Sequence, residues 1–327
     1  MIRSIGIRRC VFVACLLLVG TVDSMCGLAE SVPLVLLYGF QPVPGFRAMQ
    51  LWEDVAEALS GTRMTNAKRL VLSENHAILH LPAANDAHRT VFISDYALTY
   101  EPTVRSLFFY TQRFAEEIEY LSTHFNQERF DVVGHSTGGL IARAYAEIED
   151  FSVVLENGDF EDYGIKYGGA FRTIITLATP HHGADLAVLG QWFSTLSRQL
   201  APGSRFLRLL NADRWIEGKL TSLNPDIRYV SLAAQTCVGC GIRRDETGCL
   251  KECVEAGLRW QGSDLVIMMA SAYLPEAENT ALIGLDHVSM HTHSLVADAI
   301  DRILSGETLP AALFGTEELR TAVPSNL

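Results

Sequence analysis

The chain has 327 residues, 48% hydrophobic and 20% charged, with a formal net charge of −12. That size and apolar content suit one large core, so a single α/β domain with insertions is expected rather than two equal halves. An acidic chain without a basic run is a poor candidate for nucleic-acid binding, and no nucleic-acid partner is expected.

Arg3, Arg8 and Arg9 precede an apolar run over residues 10–20 that is short for a membrane span. Gly27-Leu28-Ala29 then sets small residues before a cut after Ala29. Residues 1–29 therefore read as a signal peptide, and the chain as exported, periplasmic or secreted. The alternative is a membrane anchor formed by an uncleaved N-terminal segment. Beyond the cut remain Cys237, Cys240, Cys249 and Cys253. An even set in an exported chain suggests two disulfides, although the spacing also resembles a four-cysteine zinc site. The spacing leaves the connectivity open.

Residues 32–38 form a continuous apolar run ending at Gly39, the pattern of a buried strand. Residues 49–59 have helical spacing, residues 77–81 and 91–93 are short strand candidates, and residues 106–125 form a long amphipathic helix. Phe130-Asp131-Val132-Val133 leads as a strand into Gly134-His135-Ser136-Thr137-Gly138-Gly139, and a helix is expected over residues 140–149. Residues 151–170 read as a loop and 171–177 as a strand. The apolar helical stretch that follows, up to residue 225, stands outside the strand–helix alternation. Strands are expected again at 226–233 and, as the last, at 281–285, with a closing helix at 294–304. The tail over 309–327 has no strong periodicity. This alternation argues for a mostly parallel sheet with helices on both faces and an inserted helical cap.

A G-x-S-x-G turn between strand and helix holds its serine in a strained conformation with the hydroxyl clear of the sheet. Ser136 is thus the candidate nucleophile. On such a scaffold the acid and then the histidine follow the serine in the chain. His287 lies directly after the expected last strand and is the candidate base, with His291 as competitor. Asp264 follows a Gly-Ser turn and could orient the imidazole, while its plainer reading is a turn-forming aspartate. Asp286 is expected to point elsewhere. The oxyanion would be met by the backbone N–H of Thr137 and by one after the first strand, from Phe40 or, as alternate, Gln41. His181 and His182 are expected to be structural.

The stretches Leu34-Val35-Leu36-Leu37-Tyr38-Gly39-Phe40, Val132 through Arg143, Thr179-Pro180-His181-His182-Gly183, Ser263-Asp264 and Gly284-Leu285-Asp286-His287 fall in one order. In that order they resemble the lipase and esterase branch of the α/β-hydrolase superfamily. The likeness is nearest to bacterial triacylglycerol-lipase-like proteins and the GPI-inositol-deacylase-like group. The resemblance implies Ser136 as nucleophile, Asp264 as acid and His287 as base. It also implies an α/β-hydrolase domain over residues 30–308, with a lid-like insertion at 184–225, a cysteine-rich insertion at 237–253 and a tail at 309–327. Three positions depart from the family pattern. Tyr38 stands where a histidine is usual, Leu265 where a glycine follows the acid, and Ser289 where some such lipases use a calcium-binding aspartate. No calcium, other metal or cofactor is therefore expected.

The expected activity is hydrolysis of carboxylic esters, as a lipase or esterase, through an acyl-enzyme on Ser136. The expected partners are an ester or lipid substrate and a transient lipid interface. A thioesterase or transacylase would use the same residues. A catalytically silent protein of this fold that binds a ligand or partner is the alternative.

Overall fold

The computed structural model describes residues 32–39, 51–73, 76–94, 106–148, 152–154, 160–162, 167–190, 195–216, 219–237 and 246–321. Residues 1–29, Phe40, Gln41 and Cys240 lie outside this set.

In chain order the strands are β1 (Leu34–Leu37), β2 (Lys68–Ser73), β3 (His76–Leu81), β4 (Val91–Ser94) and β5 (Phe130–His135), followed by a small hairpin of β6 (Ser152–Val154) and β7 (Phe160–Asp162). Then come β8 (Phe171–Leu177), a second hairpin of β9 (Arg214–Ile216) and β10 (Lys219–Thr221), and finally β11 (Arg228–Gln235), β12 (Glu278–Ile283) and β13 (Ala312–Phe314). Apart from the two hairpins, they form one nine-stranded sheet in the order β13-β12-β11-β8-β5-β1-β4-β3-β2. Every pairing from β4 to β13 is parallel, and β3 runs antiparallel between β4 and β2. β1 and β5 sit at the centre and are buried along their length; β1 accordingly reads as an unbroken apolar run, while β5 buries Asp131 among its apolar residues.

The helices are α1 (Glu53–Ser60), α2 (Leu107–Phe125), α3 (Thr137–Glu147), α4 (Asp185–Gly190), α5 (Thr195–Leu200), α6 (Arg205–Leu210), α7 (Glu246–Leu258), α8 (Met269–Ala272), α9 (Ser294–Leu304) and α10 (Glu317–Thr321). α2 begins where Ser106 accepts the amide of Phe109, and ends at Asn126 in a left-handed conformation. Its buried face carries Tyr110, Phe114, Ile118 and Leu121, the expected stripe. α3 starts at Thr137, earlier than its apolar pattern suggested, because Gly138 and Gly139 are helical despite their poor propensity. Close packing accounts for them: a Cβ on Gly138 would lie 2.8 Å from the carbonyl oxygen of Tyr38.

Several elements differ from the sequence expectation. β2 forms an unforeseen edge strand, and residues 151–170 contain the β6–β7 hairpin rather than loop alone. The strand expected last is β12, beyond which the aperiodic tail adds β13, with Ala281 opposite Ala312. The stretch between β8 and β11 holds α4, α5 and α6, as its apolar spacing implied, but also the β9–β10 hairpin. Three-residue strands carry too little alternation to be read in advance.

Cys237 and Cys253 form a disulfide with a Cα separation of 5.8 Å. Cys249 is disulfide-bonded as well. The zinc alternative for the cysteine cluster falls with this, since oxidised sulfur is no thiolate ligand. Cys249, Cys253 and Val254 of α7 pack in a second core with Ala233, Ile267, Met269 and Ile283. The described second half of the cysteine-rich stretch is thus a helix packed against the loop that carries Asp264.

Two outcomes follow. A Cβ at Gly134 would sit 2.5 Å from the Cα of Gly139, so Gly134→Ala should lower stability by about 1–3 kcal/mol through overpacking; an unchanged urea midpoint would contradict this. Replacing both Cys237 and Cys253 by alanine should lower stability by about 3 kcal/mol, the loop-closure value for a cross-link of this span, in the same measurement.

Candidate active site

Ser136 sits between β5 and α3 with φ 53° and ψ −125°, a left-handed region that non-glycine residues avoid. Its amide donates to the Leu177 carbonyl at 2.8 Å, and its own carbonyl accepts from Gly139 at 3.2 Å. A Cβ on Gly39, just after β1, would lie 2.5 Å from the Cβ of Ser136. The strand end and the serine can touch only because that side chain is absent. Thr137 is the first residue of α3, so its N–H has no partner within the helix and stands beside the serine. Of the other two oxyanion candidates, Phe40 and Gln41, both lie outside the described residues.

Asp264 is 1% exposed and makes three contacts through its carboxylate. One oxygen accepts the amides of Val266 at 2.9 Å and Ile267 at 2.6 Å, and the other lies 2.7 Å from Nδ1 of His287. The His287 amide also donates to the Asp264 carbonyl at 3.0 Å. With Nδ1–H given to the carboxylate, Nε2 is left with its lone pair. The structure therefore pairs His287 with Asp264. His291 instead directs Nδ1 to the Val288 carbonyl at 3.2 Å and packs edge-on against Trp52. Asp286 is turned into its own loop, accepting the amides of Val288 and Ser289.

Ser136, Thr137 and His287 line one cavity of about 470 Å³ together with Tyr38, Gly39, Leu51, Pro180, Leu186, Leu200, Val266, Ile267 and Val288. The walls are mainly apolar. α4 and α5 supply one side through Leu186, Ala187, Ser197 and Leu200. A larger depression of about 1020 Å³ lies between α2 and the start of β8, lined by polar residues such as Gln112, Glu119 and Arg129. It contains none of the candidate residues.

Beneath the cavity, His135 donates Nε2–H to the His287 carbonyl at 3.0 Å. Its ring lies 4.5 Å from that of His287 and 3.8 Å from that of His291. Burial, then the neighbouring imidazoles, holds His135 well below the usual histidine range. Burial also pushes His291 down to about 4.

The sequence reading missed a buried polar network centred on Arg143. Its guanidinium pairs with Glu147, both side chains fully buried, and donates to Nδ1 of His181 at 3.0 Å and to Asn211 at 3.2 Å. Asn211 donates back to the His181 carbonyl at 2.7 Å, and Thr176 holds the other nitrogen of His181. Burial and the adjacent guanidinium keep His181 neutral, well below its ordinary pKa. The network ties α3, the turn after β8 and the end of α6 together. Its sequence signal was the i, i+4 pair Arg143 and Glu147 on a mainly apolar helix. His182 is exposed and reaches the Tyr273 carbonyl.

A family model described as the alpha/beta hydrolase fold matches residues 79–188. Among solved structures, the mature lipase of Bacillus licheniformis superposes with a TM-score of 0.50 at 17% identity, over 84% of this chain and 93% of that one. A phospholipase of Legionella pneumophila does so with a TM-score of 0.50 at 14% identity, over 84% of this chain and 60% of that one. This chain thus spans well under two thirds of the phospholipase. No curated protein matches the sequence. The glycine-flanked serine turn, the sheet order and these likenesses define a protein of the α/β-hydrolase fold. The solved structures that share its architecture include a lipase and a phospholipase.

His135, His181 and His291 are held neutral when folded and are free to protonate when unfolded. The unfolded state then binds more protons below about pH 6.5, and stability falls by about 1.4 kcal/mol per pH unit per histidine until the folded-state value is reached. Unfolding midpoints should therefore drop steeply between pH 6.5 and 4, and His291→Gln should flatten that slope by about one proton. A flat profile across that window would contradict the assignment.

Proposed function

We propose that this chain is an exported serine hydrolase that cleaves carboxylic esters, as a lipase or esterase. The observation that carries the reading is the 2.7 Å contact from Nδ1 of His287 to buried Asp264, in a cavity that Ser136 also lines. In this reading Ser136 attacks the ester carbonyl while Nε2 of His287 takes its proton and returns it to the departing alcohol. Asp264 fixes the tautomer and stabilises the imidazolium. The Thr137 N–H, with that of Phe40 after β1, receives the tetrahedral oxyanion. Water then releases the acyl group, with His287 again as base.

The apolar walls support an acyl group of hydrophobic character, and the insertion over 184–225 acts as a lid through α4 and α5, which line the cavity. Export is supported by the disulfides and by the signal-like composition of residues 1–29. Among the described residues no helix is long and apolar enough to cross a membrane.

A fluorophosphonate probe should label the wild type and fail to label Ser136→Ala. Asp264→Asn should lower kcat about 10⁴-fold with little change in KM, as expected when the imidazole takes the wrong tautomer. Labelling that survives in Ser136→Ala would sink the nucleophile, and an unlabelled wild type would favour a silent binding protein. Rates over p-nitrophenyl esters should rise with acyl length, and a preference for acetate would remove the lipase reading.

A further inference from the structure

Two histidines that line the cavity have no part in the pairing of Asp264 with His287. His135 closes β5 directly before Ser136 and is 4% exposed, and His291 is 3% exposed. Each gives one ring N–H to a backbone carbonyl: Nε2 of His135 to His287 at 3.0 Å, and Nδ1 of His291 to Val288 at 3.2 Å. The other nitrogen of each ring is buried and accepts no hydrogen bond among the described residues. A buried acceptor without a partner is a cost to folding, which an apolar side chain of like size would not carry. What a histidine adds at position 135 is its single N–H.

That N–H goes to the main chain of His287, which is then held at both of its backbone groups, since its amide donates to the Asp264 carbonyl at 3.0 Å. The two ties do different things. Asp264 fixes His287 with respect to its own loop, through that amide and through Nδ1 at 2.7 Å. His135 fixes it with respect to Ser136, because residues 135 and 136 share a peptide bond. The amide of Ser136 is itself anchored on the Leu177 carbonyl at 2.8 Å. The serine turn therefore places its hydroxyl with one residue and the His287 backbone with the residue before it. The ring that does so is backed in turn. His291 meets it at 3.8 Å between centroids, and Trp52, just before α1, meets His291 edge-on at 4.9 Å.

We infer that His135 is a positioning residue for ester cleavage, setting the place of His287 against Ser136 through its Nε2–H. The inference rests on the serine-esterase reading. Proton transfer from the Ser136 hydroxyl to Nε2 of His287 needs hydrogen-bond reach, and a misplacement of about 1 Å costs about 10²-fold in rate. The tie to Asp264 alone would let His287 move together with the Asp264 loop, which follows α7 rather than a strand. The bond from the serine turn removes that freedom. Burial, then the adjacent imidazoles, keeps His135 neutral, so a ring 4.5 Å from His287 does not repel the imidazolium that forms there.

The test compares three variants of the full chain on p-nitrophenyl butyrate, with rates expressed per site labelled by a fluorophosphonate. His135→Leu and His135→Phe lack the donor and differ in shape, so the comparison stands if one of them fails to fold. Each should lower kcat about ten- to a hundredfold with KM nearly unchanged. His135→Gln carries an N–H at the reach of Nε2 and should recover most of that loss. Thermal unfolding at pH 7 should shift little among the three. A kcat that falls only in step with the melting temperature assigns His135 to packing and overturns the inference. So does full activity in His135→Leu, or an equal loss in His135→Leu and His135→Gln. A wild type that neither labels nor cleaves the ester is a different outcome: it fails the serine-esterase reading itself, and the inference with it.

Discussion

The backbone of Ser136 is the constraint on which the rest of the molecule depends. A left-handed serine costs about 1–3 kcal/mol, and such strain persists only where the surroundings over-determine it. Here β5 delivers the chain, α3 carries it away, and the two approach so closely that Gly134 and Gly139 nearly touch. The end of β1 presses on the same point through Gly39. Three central elements thus converge on one residue, and the bonds to Leu177 and Gly139 close its remaining freedom. The fully buried central strands make that convergence rigid.

The loops that carry Asp264 and His287 are held by different means. The His287 loop is short, follows β12 directly, and is tied down by Asp286 within and by His135 from below. The Asp264 loop follows α7 rather than a strand. It packs against α7, which the Cys237–Cys253 bridge staples to the end of β11. The Thr236 amide donates to the Ser263 carbonyl, so the strand end and the Asp264 loop are also joined through their backbones. Oxidised cysteines thus brace the segment that must hold a buried carboxylate in place.

Charge is distributed in keeping with this. Inside, the ionised groups are paired: Arg143 with Glu147, and Arg172 with buried Asp131. Burying the Arg143–Glu147 pair this deeply gives little net stability, but removing one partner would strand the other. The Arg143 network holds α6 and the turn after β8 against the helix that starts at Ser136, and so sets the base of the insertion. Around the cavity mouth the arrangement is the opposite, with neutral histidines below and uncharged apolar side chains above. Polar order holds the frame, and apolar surface meets whatever arrives.

Much of the fold was legible in the chain. The buried strands announce themselves as continuous apolar runs, and α2 and α9 through stripes at helical spacing. The serine turn is equally plain, because its glycines are demanded by local contact. The order serine, aspartate, histidine placed Asp264 and His287 at loops by position alone, but both kept a rival reading in sequence. What separated His287 from His291 was partnership: the two are four residues apart, yet only one faces the carboxylate. The three-residue strands of the hairpins and β13 are too short to show a pattern, and β2 at the sheet edge is defined by its pairing with β3. The Arg143 network was invisible for a similar reason, since its members span residues 143 to 214 and meet only after the sheet has formed. Leu265 belongs to the same category. Sequence marked it as a leucine where a glycine would suit, and only the folded chain shows that it has a positive φ and an exposed side chain, next to the cavity-lining Val266. Local chemistry and periodicity are written in the chain, whereas burial, partnership and exposure are properties of the packed whole.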